Sequence, residues 1–252
     1  MVNINLPKFQ GKPLIEIPEF IPTAGFLEGD FGKAVLQEYN VKAEKDYGNA
    51  SALKVLNYNN NIVEGSNPFA VVLINQIIEQ EGLRTATQAD LENVLKVNAL
   101  PLRRQYEDTG LVLRSEDNPN KYLAMNLMQQ IKTRNPNAKM PAMITLSGLE
   151  LVADASSPYK LGFRINDSTE IFYDLSVLNK DGDFSSEDID KKTGLPVKFG
   201  DKGNRHLYTR NSSLSRLCLG WNLFASSDNV VLEYSDGDGR IVVISAEGTQ
   251  KI

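Results

Sequence analysis

The chain has 252 residues, 41% of them hydrophobic and 23% charged, which is enough for a buried core without disulfide or metal staples and excludes wholesale disorder and coiled coil. Lysine and arginine number 27 against 32 aspartates and glutamates, a net charge of −5 with no basic block, so a nucleic-acid backbone is a poor partner. One cysteine (Cys218) and one histidine (His206) exclude an intrachain disulfide framework and a cysteine-rich zinc site, and leave little material for triad chemistry.

The opening residues, MVNINLPKFQGKPL, have no apolar core behind their positive charges, so no secretory signal is expected. The longest apolar stretch, Phe69-Ala-Val-Val-Leu-Ile74, is too short to span a bilayer. The expectation is a product soluble as translated, without membrane insertion, compatible with cytoplasm, cell surface or virion.

Residues 1–66 contain Pro7, Pro13, Pro18, Pro22 and the tract Asn57-Tyr-Asn-Asn-Asn-Ile62. Proline fixes φ and removes a donor, so this part reads as an N-terminal extension of short strands and irregular chain packed on a main domain, 67–252. At most one short helix, Val35 to Tyr39, is predicted within it.

Asn67-Pro68 then opens a predicted helix, Phe69 to Glu81, with apolar residues at 71, 72, 74, 77 and 78 and Gly82 at its end. Thr87-Gln-Ala-Asp90 has the form of a capping box ahead of Leu91, Val94 and Leu95. Asn118-Pro119 leads into Tyr122, Leu123, Leu127, Met128 and Ile131, a third helix that stops before Asn135-Pro136. These stripes read as core.

After Pro141 the pattern changes to strands, predicted at Ile144 to Ala153, Leu161 to Ile165 and Glu170 to Val177. Residues 178–206 form a long polar connection, and Arg240-Ile-Val-Val-Ile-Ser245 reads as a buried strand. Helices first and sheet later, without βαβ alternation, define an α+β fold.

Few residues offer chemistry. Asn179-Lys-Asp-Gly-Asp183 with Ser185, Glu187 and Asp188 looks like part of a calcium loop, yet aligning Gly182 with the loop glycine puts Val177 at the first ligand position. It therefore reads as a solvated turn. His206, between Arg205 and Tyr208, has no ligand-spaced partner and reads as structural. Phosphate loop, GxSxG, HExxH and CxxC motifs are all missing. No catalytic residue, metal site or cofactor is expected, and the chain does not read as an enzyme.

The segment 211–246, NSSLSRLCLGWNLFASSDNVVLEYSDGDGRIVVISA, is different. A skeleton of Leu214, Leu217, Leu219, Leu223, Ser226, Ser235, Gly239 and Arg240 holds positions of mixed chemistry, including the only cysteine and the only tryptophan. In an extended chain Leu217 and Leu219 share one face, while Cys218 and Gly220 turn to the other. Aromatics beside small and acidic residues on a turn-rich segment make a binding surface. The competing reading buries Trp221 and Phe224 in the core.

The pattern SSLSRLxL…NL…S…S…GRIVVIS resembles the C-terminal variable region of proteins diversified by retroelements, in particular their archaeal and archaeal-virus branch. The helical part, TATQADLENVLKVNALPLRRQYEDTGLVLRSEDNPNKYLAMNLMQQIK, is similar to that branch too, so the likeness covers roughly residues 67 to 246. It implies a C-type-lectin-like fold, with helices packed beside a small, mostly antiparallel twisted sheet that the final strands close. It also implies a displayed surface, about residues 211–240, rewritten by mutagenic reverse transcription at adenines of a template repeat. The ligand-contacting positions would be Cys218, Gly220, Trp221, Asn222, Phe224, Asp228, Asn229, Val231, Glu233, Tyr234, Asp236 and Asp238. Asparagine codons are the favoured targets; Trp221 and Glu233 cannot be reached from them and need other template codons or are fixed. The implied partner is a protein or surface ligand, and an oligomer is compatible with it. The lectin motifs EPN, QPD and WND, which bind sugar through calcium, are missing. Two other classes remain: a structural fibre or coat component without a diversified site, and an enzyme of the formylglycine-generating type. The latter looks to a pair of reactive cysteines, and this chain has one.

Overall fold

In the computed structural model, residues 24–200 and 202–245 are described, together with the backbone of a short strand pair, β1 (Lys8–Phe9) and β2 (Lys12–Pro13). Pro7, Pro18, Pro22 and Ala246, which enter the expectations above, lie outside the described residues.

Helix boundaries follow local chemistry. The first strand of the main body, β3 (Ala24–Phe26), leads into α1 (Gly29–Tyr47), a 19-residue helix where composition predicts only a short one. Its buried residues, Gly32, Val35, Leu36, Tyr39 and Ala43, recur at helical spacing but are diluted by charged neighbours, and Gly48 ends it at φ 58°. The hairpin β4 (Asn57–Asn59) and β5 (Ile62–Glu64) follows. At α2 (Pro68–Ile78) the Asn67 side chain accepts the Ala70 amide at 2.8 Å, and a short 3₁₀ turn carries the chain to Gly82. After β6 (Leu83–Thr85), Thr87 and Asp90 make both bonds of a capping box on α3 (Gln88–Val97). Helix α4 (Lys121–Arg134) ends at Asn135, ahead of Pro136. Its last turn carries Lys132 and Arg134, the sign that the helix C-terminus favours.

The remaining strands are β7 (Glu107–Leu113), β8 (Ala142–Thr145), β9 (Leu149–Ala153), β10 (Leu161–Ile165), β11 (Ile171–Phe172), β12 (Gly182–Phe184), β13 (Arg205–Tyr208), β14 (Leu214–Leu219), β15 (Ala225–Ser226) and β16 (Val242–Ser245). A seven-stranded sheet runs β11-β8-β7-β14-β15-β13-β12, antiparallel except for β13 with β15. Its third strand, β7, lies within the stretch that the sequence reads as helical, and no strand is predicted there: all seven of its residues are buried, so period-2 alternation is erased. The predicted strand at Glu170 to Val177 shrinks to β11 followed by a 3₁₀ turn, Ser176–Asn179. A second sheet places β16 between β3 and β6, antiparallel to both. With β9–β10 pairing separately, the architecture is α+β, with four α-helices among the described residues and no helix long and apolar enough to cross a membrane.

The core does not respect a boundary at residue 66. One cluster joins Leu27, Val35, Tyr39 and Val63 to Phe69, Ile74, Leu111, Leu127, Ile144, Leu214, Leu232 and Ile241. Phe69 stacks on Phe163 at 4.9 Å between ring centres, and the Tyr39 hydroxyl donates to Leu53 O at 2.8 Å. Residues 24–66 therefore help to build the main body rather than lying on it.

Leu219 and Val242 meet in a smaller cluster with Leu91, Val94 and Leu102. Leu219→Ala is expected to cost about 2–5 kcal/mol, and Val242→Ala somewhat less, in a urea melt. An unchanged midpoint would put β14 the wrong way round.

Candidate binding surface

Cross-strand partners point to the same side of a sheet. The registers Asp108↔Cys218, Cys218↔Ser226, Tyr208↔Ser226 and Asp183↔His206 therefore put these side chains on one face of the seven-stranded sheet. Arg216, whose guanidinium pairs with Asp108, and Phe224, whose ring meets Tyr208, share that face. Residues 227–229 continue along the edge of β14 and β13, with Ser227 N donating to Tyr208 O at 2.8 Å and Arg216 N to Asn229 O at 3.1 Å, and residues 230–239 then cross the middle of the face; towards β13 and β12 the face stays open.

Beneath the covering segment lies a fully buried ion pair. Arg216 Nε donates to Asp108 Oδ1 at 2.6 Å and its Nη2 bonds Oδ2 of the same carboxylate, both side chains being within 2% of complete burial. Arg216 Nη1 donates to Tyr234 O at 2.8 Å, Nη2 also reaches Ser66 O at 3.3 Å, and the guanidinium lies 5.1 Å from the Tyr106 ring centre. Ser66 Oγ donates to Asp108 Oδ2 at 2.7 Å. Burial opposes the charge on Arg216, but the Asp108 carboxylate outweighs it and holds the guanidinium more firmly charged than usual.

The same device recurs along the segment. Asn120 Nδ2 donates to Leu214 O at 2.9 Å and Val230 O at 2.7 Å. Asn67 Nδ2 donates to Glu233 O at 3.2 Å, and the Tyr106 hydroxyl accepts the Asp236 amide at 3.0 Å. Buried Arg114 donates to Ser215 Oγ, Ser227 Oγ and Ser227 O, and Ser215 Oγ donates to Ser227 O at 2.6 Å. Interior side chains thus grip the main chain at residues 227, 230, 233, 234 and 236. Leu232, completely buried, is the segment's apolar plug.

The side chains of the segment mostly face water. Trp221, Asn222, Asp228, Val231, Glu233, Tyr234, Asp236 and Asp238 are exposed; Gly220, Phe224 and Asn229 are half-buried. Trp221 is 51% exposed, which rules out the core reading for it. Cys218 is the correction: it is buried, because the face opposite Leu217 and Leu219 is itself covered. Burial pushes its thiol up to about 12 against the pull of Arg216. At 9% exposure it offers a ligand little surface.

Three residues join this face that sequence patterning does not mark as a site. The rings of His206 and Tyr208 are 4.3 Å apart, and Tyr208 meets Phe224 edge-on at 5.6 Å. The Asp183 carboxylate accepts from His206 Nδ1 at 2.6 Å, so the acidic turn holds the histidine. Among the described residues there is no group of three His, Cys, Asp or Glu side chains placed to hold a metal ion. Only the register of β12 against β13 brings Asp183 to His206, 23 residues apart in the chain.

Comparison with family models, with curated protein sequences and with solved structures returned no match for this chain.

Glu107, beside the ion pair in sequence, is buried and neither of its carboxylate oxygens has a partner among the described residues. Burial, then Asp108, pushes it up to about 8, with Arg240 opposing. A carboxyl raised in the folded state binds more protons there than when unfolded. Stability should therefore fall as pH rises from about 4.5 to 8, by up to ~1.4 kcal/mol per pH unit. Glu107→Gln is expected to flatten that dependence and to melt higher than the parent at pH 9. A melt equally steep in both proteins would assign it to another group.

Arg216→Ala leaves Asp108 charged and buried, and is expected to cost about 3–5 kcal/mol. Hydrogen exchange should rise across residues 229–239 before the rest of the chain, and uniform protection there would mean the clamp does not hold the segment.

Proposed function

We propose that this chain is a ligand-display protein, a C-type-lectin-like scaffold whose surface over about residues 220–238 is rewritten by a diversity-generating retroelement to meet protein or surface ligands. The observation that carries the reading is the grip on the main chain of residues 227–239. A carbonyl or amide bonds identically whatever side chain its residue bears, so outward side chains can change without loosening the fold. The placement of β16 between β3 and β6 supports the scaffold, because the resemblance calls for final strands that close the sheet. Contacts are then made by Gly220, Trp221, Asn222, Phe224, Asp228, Asn229, Val231, Glu233, Tyr234, Asp236 and Asp238, without Cys218. Binding of this kind requires no cofactor and no reacting group.

The deciding experiment is sequencing of the DNA around the codons for residues 211–246. An imperfect second copy differing mainly at adenines, with a reverse transcriptase gene beside it, establishes the mechanism and names the contact positions. Without either, the segment is a fixed surface and the structural-component reading takes over.

Folding gives an independent check. A library randomised at Trp221, Asn222, Asp228, Val231, Glu233 and Tyr234 should remain mostly folded, since exposed substitutions each move stability by about 0.5 kcal/mol or less. A library at Asn67, Asn120, Arg216 and Leu232 should be mostly unfolded in the same protease-resistance assay. Equal survival of the two would remove the basis of the reading.

A further inference from the structure

Eight large hydrophobic side chains are exposed among the described residues, and four of them, Tyr208, Trp221, Val231 and Tyr234, fall between residues 208 and 234. Phe224 and His206 extend the ring of Tyr208 into a three-ring platform. Apolar exposure concentrated in one region marks an interaction site, where singly scattered residues would not.

The segment's own charge is one-sided, although two exposed arginines, Arg103 and Arg104, stand at its Trp221 end, where the Arg104 amide donates to Trp221 O at 2.8 Å. Between Leu217 and Gly239 there are four carboxylates, Asp228, Glu233, Asp236 and Asp238, all exposed, and neither lysine nor arginine. The flanking arginines turn inward, Arg216 onto Asp108 and Arg240 onto Glu64 and the carbonyls of Gly237 and Gly239. Arg210 directs its guanidinium to the main-chain oxygens of Ser212 and Asp228. Beside the platform, the Asp183 side chain is 54% exposed and adds a fifth carboxylate.

We propose that this face takes a basic protein surface, on which arginine or lysine side chains stack against the rings and pair with the surrounding carboxylates. The inference rests on the display reading above and specifies the partner of this particular sequence. A cation is attracted to the face of an aromatic ring, and guanidinium to carboxylate in a bidentate pair, so the two features recognise the same group. A neutral partner would strip water from carboxylates and return nothing to them, and an acidic one would be repelled.

Trp221 is the only tryptophan, so its emission reports this face without a label. The full chain is titrated in low salt with a twelve-residue arginine–glycine repeat peptide, and with its glutamate–glycine and serine–glycine counterparts. The arginine peptide is expected to give a saturable change, at least tenfold weaker for the other two and weakened in 0.5 M salt. Tyr208→Ala should weaken it several-fold. The combined D228N, E233Q, D236N and D238N variant should weaken it at least tenfold, with thermal melts of both variants close to the parent. Equal binding of the glutamate or serine peptide overturns the cationic partner while leaving the face a binding surface. A silent titration, or an arginine response that survives in the combined variant, overturns the cationic partner as well. The display reading stands or falls separately, on the second DNA copy.

Discussion

The segment 227–239 depends on a charge with no access to water. Arg216 and Asp108 would each be costly to bury alone, and their mutual attraction offsets that cost only when the remaining donors and acceptors are also satisfied. Here they are: Ser66 donates to the carboxylate, and the guanidinium reaches the carbonyls of Ser66 and Tyr234. The pair therefore ties together the entry to α2, the start of β7, the middle of β14 and the covering segment. A well-packed apolar replacement could fill the same volume. It could not hold Tyr234 O, because only a directional donor fixes a carbonyl in place.

The choice of side chain to main-chain bonds shapes what the segment can tolerate. Asparagine amides and arginine guanidinium groups project several donors from inside the body, and any residue except for its side chain offers the same acceptor. Asn120 shows the economy of this: one amide nitrogen holds both β14 and the segment, at Leu214 O and Val230 O. The bond from the Tyr234 hydroxyl to Asp236 is of another kind. It joins two outward side chains, belongs to this sequence alone, and can be lost with either residue while the interior grip persists.

Local signals were readable from the chain, whereas signals created by long-range pairing were not. The caps at Asn67 and at Thr87 with Asp90 appear as predicted because a cap bonds within one turn of its own helix. The strand β7 left no periodic mark because both its faces are covered. The proline content of the first 66 residues speaks only to local conformation, and gives no hint that β3 pairs with β16 more than two hundred residues later. Cys218 illustrates the same limit at the candidate site. Alternation correctly separates it from Leu217 and Leu219, but which faces are covered is decided by residues 230–239 folding back over the strand. His206, Tyr208 and Asp183 enter the face only through the register of β12, β13 and β15.

Gripping a segment by its main chain also limits which of its residues can vary. Within 227–239 three residues are buried: Ser227, Leu232 and Gly239. Leu232 fills the main core, and Ser227 meets Arg114. A Cβ on Gly239 would lie 2.6 Å from the Ser66 amide nitrogen, too close for any side chain. Ser235 joins them, since its hydroxyl accepts the Ser66 amide at 2.9 Å. These four positions divide the segment into short arcs, between which Asp228, Val231, Glu233, Tyr234, Asp236 and Asp238 are exposed. Two of the four, Ser235 and Gly239, belong to the skeleton visible in the sequence; Ser227 and Leu232 emerge only from the fold. Under the proposed reading, a template that rewrote any of the four would yield chains unable to close over Arg216, so constancy at 227, 232, 235 and 239 follows from the same bonds that permit variation between them.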